Sequence, residues 1–195
     1  IIFRVDAAKL SSVGTGNLYR SIFLSNKLKK KFKLKKKDIL FLTKTTNEYS
    51  ISKKILLRNK INFKNCTSTV RDYSLSELNL INNYKSNLLI IDKYMKRIGK
   101  KFILKLKQNH KRILLIDDIS SFRYLSDLSI NPMSHNIPNL RIGKIGYKYN
   151  ILPSYDFFSK KPKKIVKKKF SIFLFFGGYD KKKITIKILK KLKNF

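Results

Sequence analysis

A glycine turn near the start of the chain, Val13-Gly14-Thr15-Gly16-Asn17-Leu18-Tyr19-Arg20, constrains the fold more than any other segment. It follows an apolar opening, Ile1-Ile2-Phe3-Arg4-Val5-Asp6, that reads as a buried strand. It precedes Leu18, Ile22, Phe23 and Leu28, an apolar stripe at helical spacing. Strand, glycine turn and helix in that order place free backbone N–H groups at a helix N-terminus. Such an end favours phosphate or another anion, because the unpaired donors and the helix dipole point the same way.

The pattern then repeats. A helix is predicted over 16–30, a strand over 38–43 and a helix over 47–60, where Ile51, Ile55 and Leu56 share a face. A further helix spans 74–84, with Ser74 as N-cap and Glu77 three residues on, the capping-box spacing. Asn87-Leu88-Leu89-Ile90-Ile91-Asp92 is apolar without alternation, as is 112–118, and a basic amphipathic helix over 95–109 joins them. Unalternated apolar strands are buried on both faces, the mark of a parallel sheet. The order β-α-β-α-β-α-β therefore predicts an α/β, Rossmann-like, doubly wound parallel sheet. Ligands of such sheets bind beyond the carboxyl ends of the strands. Asp6, Asp92, Tyr94, Asp117 and Asp118 fall at those ends, and Gly14 and Gly16 lie just past the first.

Composition narrows the function. The formal charge is +35, but 38 of the 46 basic residues are Lys, and Arg, the better fork for phosphates and bases, is scarce. The lysines fall in loops and on solvated helix faces, so no specific nucleic-acid partner is expected. The single cysteine, Cys66, excludes an internal disulfide and fits a reducing, cytoplasmic setting. No apolar run approaches the ~20 residues of a membrane span, so membrane contact is at most peripheral. His110 and His135 are not spaced as metal ligands; His110 reads as a solvated helix end, and neither metal nor cofactor is expected.

Residues 119–150 are irregular, and 159–169 read as a Lys-rich linker. Phe170-Ser171-Ile172-Phe173-Leu174-Phe175-Phe176, then Gly177-Gly178-Tyr179-Asp180 and a Lys-rich helix form a second strand–turn–helix start. The expected organisation is an N-terminal domain over 1–158, the linker, and over 170–195 the first unit of a truncated C-terminal domain.

Six segments in register resemble a known family. They are Phe3-Arg4-Val5-Asp6, Gly14 through Arg20, Leu89-Ile90-Ile91-Asp92-Lys93-Tyr94, Ile116-Asp117-Asp118, Gly146 through Leu152, and Phe176-Gly177-Gly178-Tyr179-Asp180. Together they are similar to the UDP-sugar hydrolases of pseudaminic acid biosynthesis, which are themselves similar in fold to family 28 glycosyltransferases. The resemblance implies a GT-B architecture with two Rossmann-like domains facing a cleft. It implies metal-independent hydrolysis of the anomeric C–O bond of a UDP-linked diacetamido trideoxy sugar, with release of UDP.

The family turn reads Gly-x-Gly-His, with the His as general base; this chain has Asn17 there. An amide orients a water but does not take its proton near neutral pH. Asn17 is thus either an N-cap or a polar contact to substrate, and Asp6, next to the turn in sequence, becomes the first-choice base. Gly14 and Gly16, from the turn, and Asp92, Tyr94 and Asp118, from the strand ends, are expected to bind substrate in the N-terminal half, and the resemblance adds Arg20. It makes Gly177, Gly178 and Asp180 binding residues of the UDP half. A glycosyltransferase using an acceptor hydroxyl, or a paralogue that binds a nucleotide sugar without turnover, uses the same scaffold.

Overall fold

The computed structural model describes residues 1–10, 13–66, 69–132, 143–145, 180 and 183–192, apart from the side chains of residues 94, 95, 143 and 145. The chain runs β1 (Ile2–Val5), α1 (Gly16–Phe32), β2 (Leu40–Lys44), α2 (Ser50–Arg58), β3 (Phe63–Cys66), α3 (Leu75–Asn82) and β4 (Leu89–Lys96). It continues with α4 (Lys100–Leu106), β5 (Ile113–Asp118), β6 (Leu128–Asn131), β7 (Gly143–Ile145) and α5 (Ile184–Leu192). The seven strands form one sheet in the order β3-β2-β1-β4-β5-β6-β7. Every pairing is parallel. This is the α/β, Rossmann-like doubly wound arrangement expected from the sequence.

Two cores explain why the central strands show no alternation. Successive strand residues point to opposite faces, and here both faces are covered. Ile2, Leu42, Leu89, Ile91 and Leu115 pack on one face with Leu78 and Ile81 of α3 and Phe102, Ile103 and Leu106 of α4. Phe3, Val5, Phe41, Ile90 and Ile116 pack on the other with Leu18 and Ile22 of α1 and Ile55 and Leu56 of α2. The Phe3 and Phe41 rings stack at 4.7 Å between centroids, a pairing worth about 1 kcal/mol beyond its buried area.

The structure corrects the sequence reading in several places. β4 runs on to Lys96, so the helix expected from residue 95 begins at Lys100. The extension is held to β5 past a bulge: Lys96 registers with Asp118, and Ile119 N donates to the Lys96 carbonyl at 2.9 Å. β3, β6 and β7 were not expected as strands. β3 is an edge strand with Lys64 and Asn65 exposed. β6 buries its polar residues: Ser129 Oγ donates to Asn131 Oδ1 at 3.0 Å, and Asn131 Nδ2 donates to the Asp118 carbonyl at 2.7 Å. The Lys run after α1, residues 35–37, is exposed. Among the described residues no helix is long and apolar enough to cross a membrane. The expected linker, the strand over 170–176, His135, Gly177 and Gly178 lie outside the described residues.

Candidate functional site

The sheet reverses its winding between β1 and β4, and ligand crevices of open α/β sheets form outside the carboxyl ends of the strands at that point. A crevice of about 320 Å³ lies there, lined by Asp6, Val13, Gly14, Gly16, Asn17, Tyr49, Asp72, Asp92, Lys93 and Lys96. The sequence-predicted residues Asp6, Gly14, Gly16, Asn17 and Asp92 are thus brought together.

The glycine turn is open. Neither Gly14 nor Gly16 adopts the left-handed conformation that favours glycine, and a Cβ built on either meets no atom of the described residues within 4 Å. Backbone geometry and packing among the described residues therefore do not require these glycines; what they leave is room beside the backbone. Thr15, and not Asn17, is the N-cap of α1, and its side chain makes no capping bond. No acidic residue stands in the first turn, so the first N–H groups of α1 stay without a helix partner. Asn17 is half-buried, and its amide makes no hydrogen bond among the described residues.

On the face covered by α1 and α2, Arg20 is buried and grips two carboxylates. Its Nε donates to Asp92 Oδ2 at 2.9 Å, its Nη2 donates to Asp92 Oδ1, and Nη2 also reaches Asp117 Oδ2 at 2.7 Å. Ser21 Oγ donates to Asp92 Oδ2 at 3.0 Å. Burial raises the Asp92 pKa; Arg20 opposes that and Asp117 adds to it, and the net shift is upward. Asp117 takes φ 58° opposite the β4 bulge, the left-handed region that, after Gly, Asn and Asp enter most readily.

On the face covered by α3 and α4, Arg4 is fully buried. Its Nη1 donates to Asp6 Oδ1 at 2.6 Å and its Nε to Glu77 Oε1 at 2.7 Å, while Nη2 has no hydrogen-bond partner among the described residues. Glu77 Oε1 also accepts from Lys93 Nζ at 2.5 Å, and Lys93 Nζ donates to Asp72 Oδ1 at 2.6 Å. Lys96 and Lys44 reach the same Asp72 carboxylate at 3.2 and 3.9 Å. Burial lowers the Lys93 pKa, Arg4 lowers it further, and the neighbouring carboxylates do not restore it.

Asp6 does not suit the role of base. Burial alone would raise its pKa, but Arg4, Lys93 and the Lys44 N–H, which donates to Oδ1 at 2.8 Å, together hold it below the usual carboxylate range. Asp118 is not on the crevice wall: it accepts from Ile98 N and Ser120 N, both at 2.9 Å, and from Tyr73 Oη at 3.2 Å. Arg20 is likewise not a lining residue; it sets the position of Asp92, which is. The side chain of Tyr94 lies outside the described residues. Asp180 spends both oxygens capping α5, from Ile184 N at 2.9 Å and Thr185 N at 2.8 Å. His110 is not a solvated cap: it is 2 % exposed, its Nδ1 lies 2.8 Å from Ser86 Oγ, and burial lowers its pKa to about 4.

Sequence reasoning missed Tyr49, Asp72, Lys93 and Lys96 and misread Glu77. The Ser74 cap forms, with Glu77 N donating to Ser74 Oγ at 3.3 Å. The Glu77 carboxylate, however, takes Tyr73 N at 2.5 Å together with Arg4 and Lys93, and so becomes the hub of an ionic cluster. A lysine closing the apolar run Leu89–Asp92 was the available signal for Lys93; Asp72 gave none. Among the described residues no group of three His, Cys, Asp or Glu side chains could hold a metal ion.

No protein-family model matches the chain, and no curated protein matches it either.

Proposed function

We propose that the chain is a nucleotide-sugar hydrolase of the GT-B class that holds a UDP-linked diacetamido trideoxy sugar in the switch-point crevice and releases UDP. The observation that carries this reading is the open glycine turn: two glycines with vacant space beside them, at an uncapped helix start, on a crevice whose far wall bears a buried carboxylate. Water attacks the anomeric carbon, the bond from that carbon to the phosphate oxygen breaks, and its electron pair leaves with UDP. Asp92 takes the proton from the water, since a carboxylate whose pKa is raised by burial is a better base than Asp6. Asn17, whose amide makes no hydrogen bond among the described residues, orients that water.

UDP release from the diacetamido sugar, followed in the parent, in Asp92→Asn and in Asn17→His, tests the reading. Release by the parent and its loss in Asp92→Asn are expected. Release only by Asn17→His would mean a hydrolase scaffold without its base. Sugar transfer to an added alcohol in preference to water would make the protein a glycosyltransferase.

A further inference from the structure

Asp92 and Lys93 are neighbours on β4, so their side chains leave the strand on opposite faces. Each enters a buried ionic cluster, and the two clusters do not balance. On the α3 face four cations, Arg4, Lys44, Lys93 and Lys96, are linked through three carboxylates, Asp6, Asp72 and Glu77. On the α1 face, among the described residues, one cation, Arg20, is shared by two carboxylates, Asp92 and Asp117. One side carries a spare positive charge and the other a spare negative charge. Both border the same crevice through Lys93, Lys96 and Asp92. Charge without a matching counter-charge on the wall of a crevice attracts a ligand that supplies it, so such a ligand gains affinity on the side where it belongs.

The spare positive charge has a definite address. Asp72 is shared by three ammonium groups, at 2.6, 3.2 and 3.9 Å, of which only Lys93 has a second carboxylate, Glu77, among the described residues. The Lys93 side chain is 3 % exposed, and Lys96 beside it is half open to solvent. Lys93 also sits 5.1 Å from the centre of the Tyr73 ring, which fixes it without neutralising it. Asp118, one contact further out through Tyr73, has Arg123 as a nearby cation.

We infer that the crevice is polarised across the end of β4 and that a phosphoryl group of the ligand docks on the Lys93–Lys96 wall, opposite Asp92. This rests on the nucleotide-sugar reading and adds a direction to it. Positive charge developing at the anomeric carbon faces the Asp92 wall. Negative charge developing on the departing phosphate oxygen faces the lysines. Such placement of fixed charge where charge develops is the main source of enzymatic stabilisation.

The test uses inorganic pyrophosphate, titrated calorimetrically into the full chain at moderate salt. Saturable binding is expected to weaken about tenfold in Lys96→Gln and more in Lys93→Gln, in line with the loss of a charge-assisted contact. Asp72→Asn, which enlarges the surplus, is expected to tighten it several-fold. Lys29→Gln combined with Lys30→Gln, on the exposed end of α1, is expected to bind as the parent does. Circular dichroism checks folding; if Lys93→Gln fails to fold, Lys96→Gln and Asp72→Asn decide. Unchanged affinity in both, or an equal loss in the Lys29/Lys30 variant, overturns the inference. Because pyrophosphate carries no sugar, a protein silent towards the UDP-sugar leaves the inference standing. UDP release with pyrophosphate affinity unmoved by these variants sinks it while the function survives.

Discussion

Arg4 and Arg20 are both buried guanidinium groups near the head of the sheet, yet they serve different ends. Arg4 is fully enclosed and ties together three segments of chain: Asp6 after β1, the Leu42 carbonyl in β2 and Glu77 in α3. Arg20 holds two carboxylates of which one, Asp92, lies in the wall of the crevice. The first cluster is a tie between elements with its surplus charge facing the ligand side. The second is a mount for a single reactive group. The contrast teaches that ion pairs of similar length carry structural and chemical roles according to what lies on their open side.

The comparison breaks most sharply if Arg4 is removed. Arg4→Leu leaves Asp6 and Glu77 buried with reduced partners and is expected to cost about 3–5 kcal/mol in denaturant unfolding. A loss below about 1 kcal/mol would mean that the cluster is not a unit. Asp92→Asn is the chemical counterpart. UDP release is expected to fall about 10²–10⁴-fold with stability unchanged or improved, because burial disfavours the charged form of this side chain. Asp6→Asn should show the reverse, retaining turnover and losing stability.

Acid separates the clusters next. Asp6 and Asp72 have pKa values below the ordinary carboxylate range, so the stability they contribute is present above that range and is lost as pH falls through their folded values. Asp92, shifted upward, has the opposite sign, and its protonation favours the fold. His110 adds a third term away from both clusters. Its folded pKa of about 4 lies below the ordinary 6.5, so its contribution is full above 6.5 and is lost as pH falls from 6.5 to 4. Thermal unfolding of His110→Gln across that window should show about 1–2 kcal/mol less acid loss than the parent. The smallest effect is at the turn. Gly16→Ala places a methyl in open space at the first residue of α1 and should stabilise the fold by up to about 0.5–1 kcal/mol while weakening ligand binding. Unimpaired binding would show that the vacant space is not ligand space.

The sequence carried the centre of the sheet and less of its edges. β1, β2, β4 and β5 are apolar runs because both of their faces are covered, so Phe3 and Ile2, or Ile90 and Ile91, are equally buried. Phe63-Lys64-Asn65-Cys66 is half-exposed, and its pattern is too short and too polar to stand out from a loop. The site was legible where backbone and sequence coincide, at Gly14, Gly16, Asn17, Asp6 and Asp92. It was illegible where long-range pairing decides. Nothing local to Glu77 shows that its carboxylate meets Arg4 from 73 residues away, since the capping-box spacing already accounts for an acid there. Nor does anything near Asp6 reveal that Arg4, two residues earlier, turns it from a candidate base into a fixed anion.

The alternation of Asp92 and Lys93 along β4 has a consequence for how this chain tolerates change. The two charges are separated by strand phase alone, and phase in a strand has a period of two residues. Loop insertions on either side of Leu89–Lys96 leave that phase intact. The deletion or insertion of one residue between Leu89 and Asp92 would exchange the two charges between the faces and would also carry Ile90 and Ile91 into each other's cores. A single frame-preserving codon gained or lost inside this strand thus reverses the polarity of the site and unseats both cores at once.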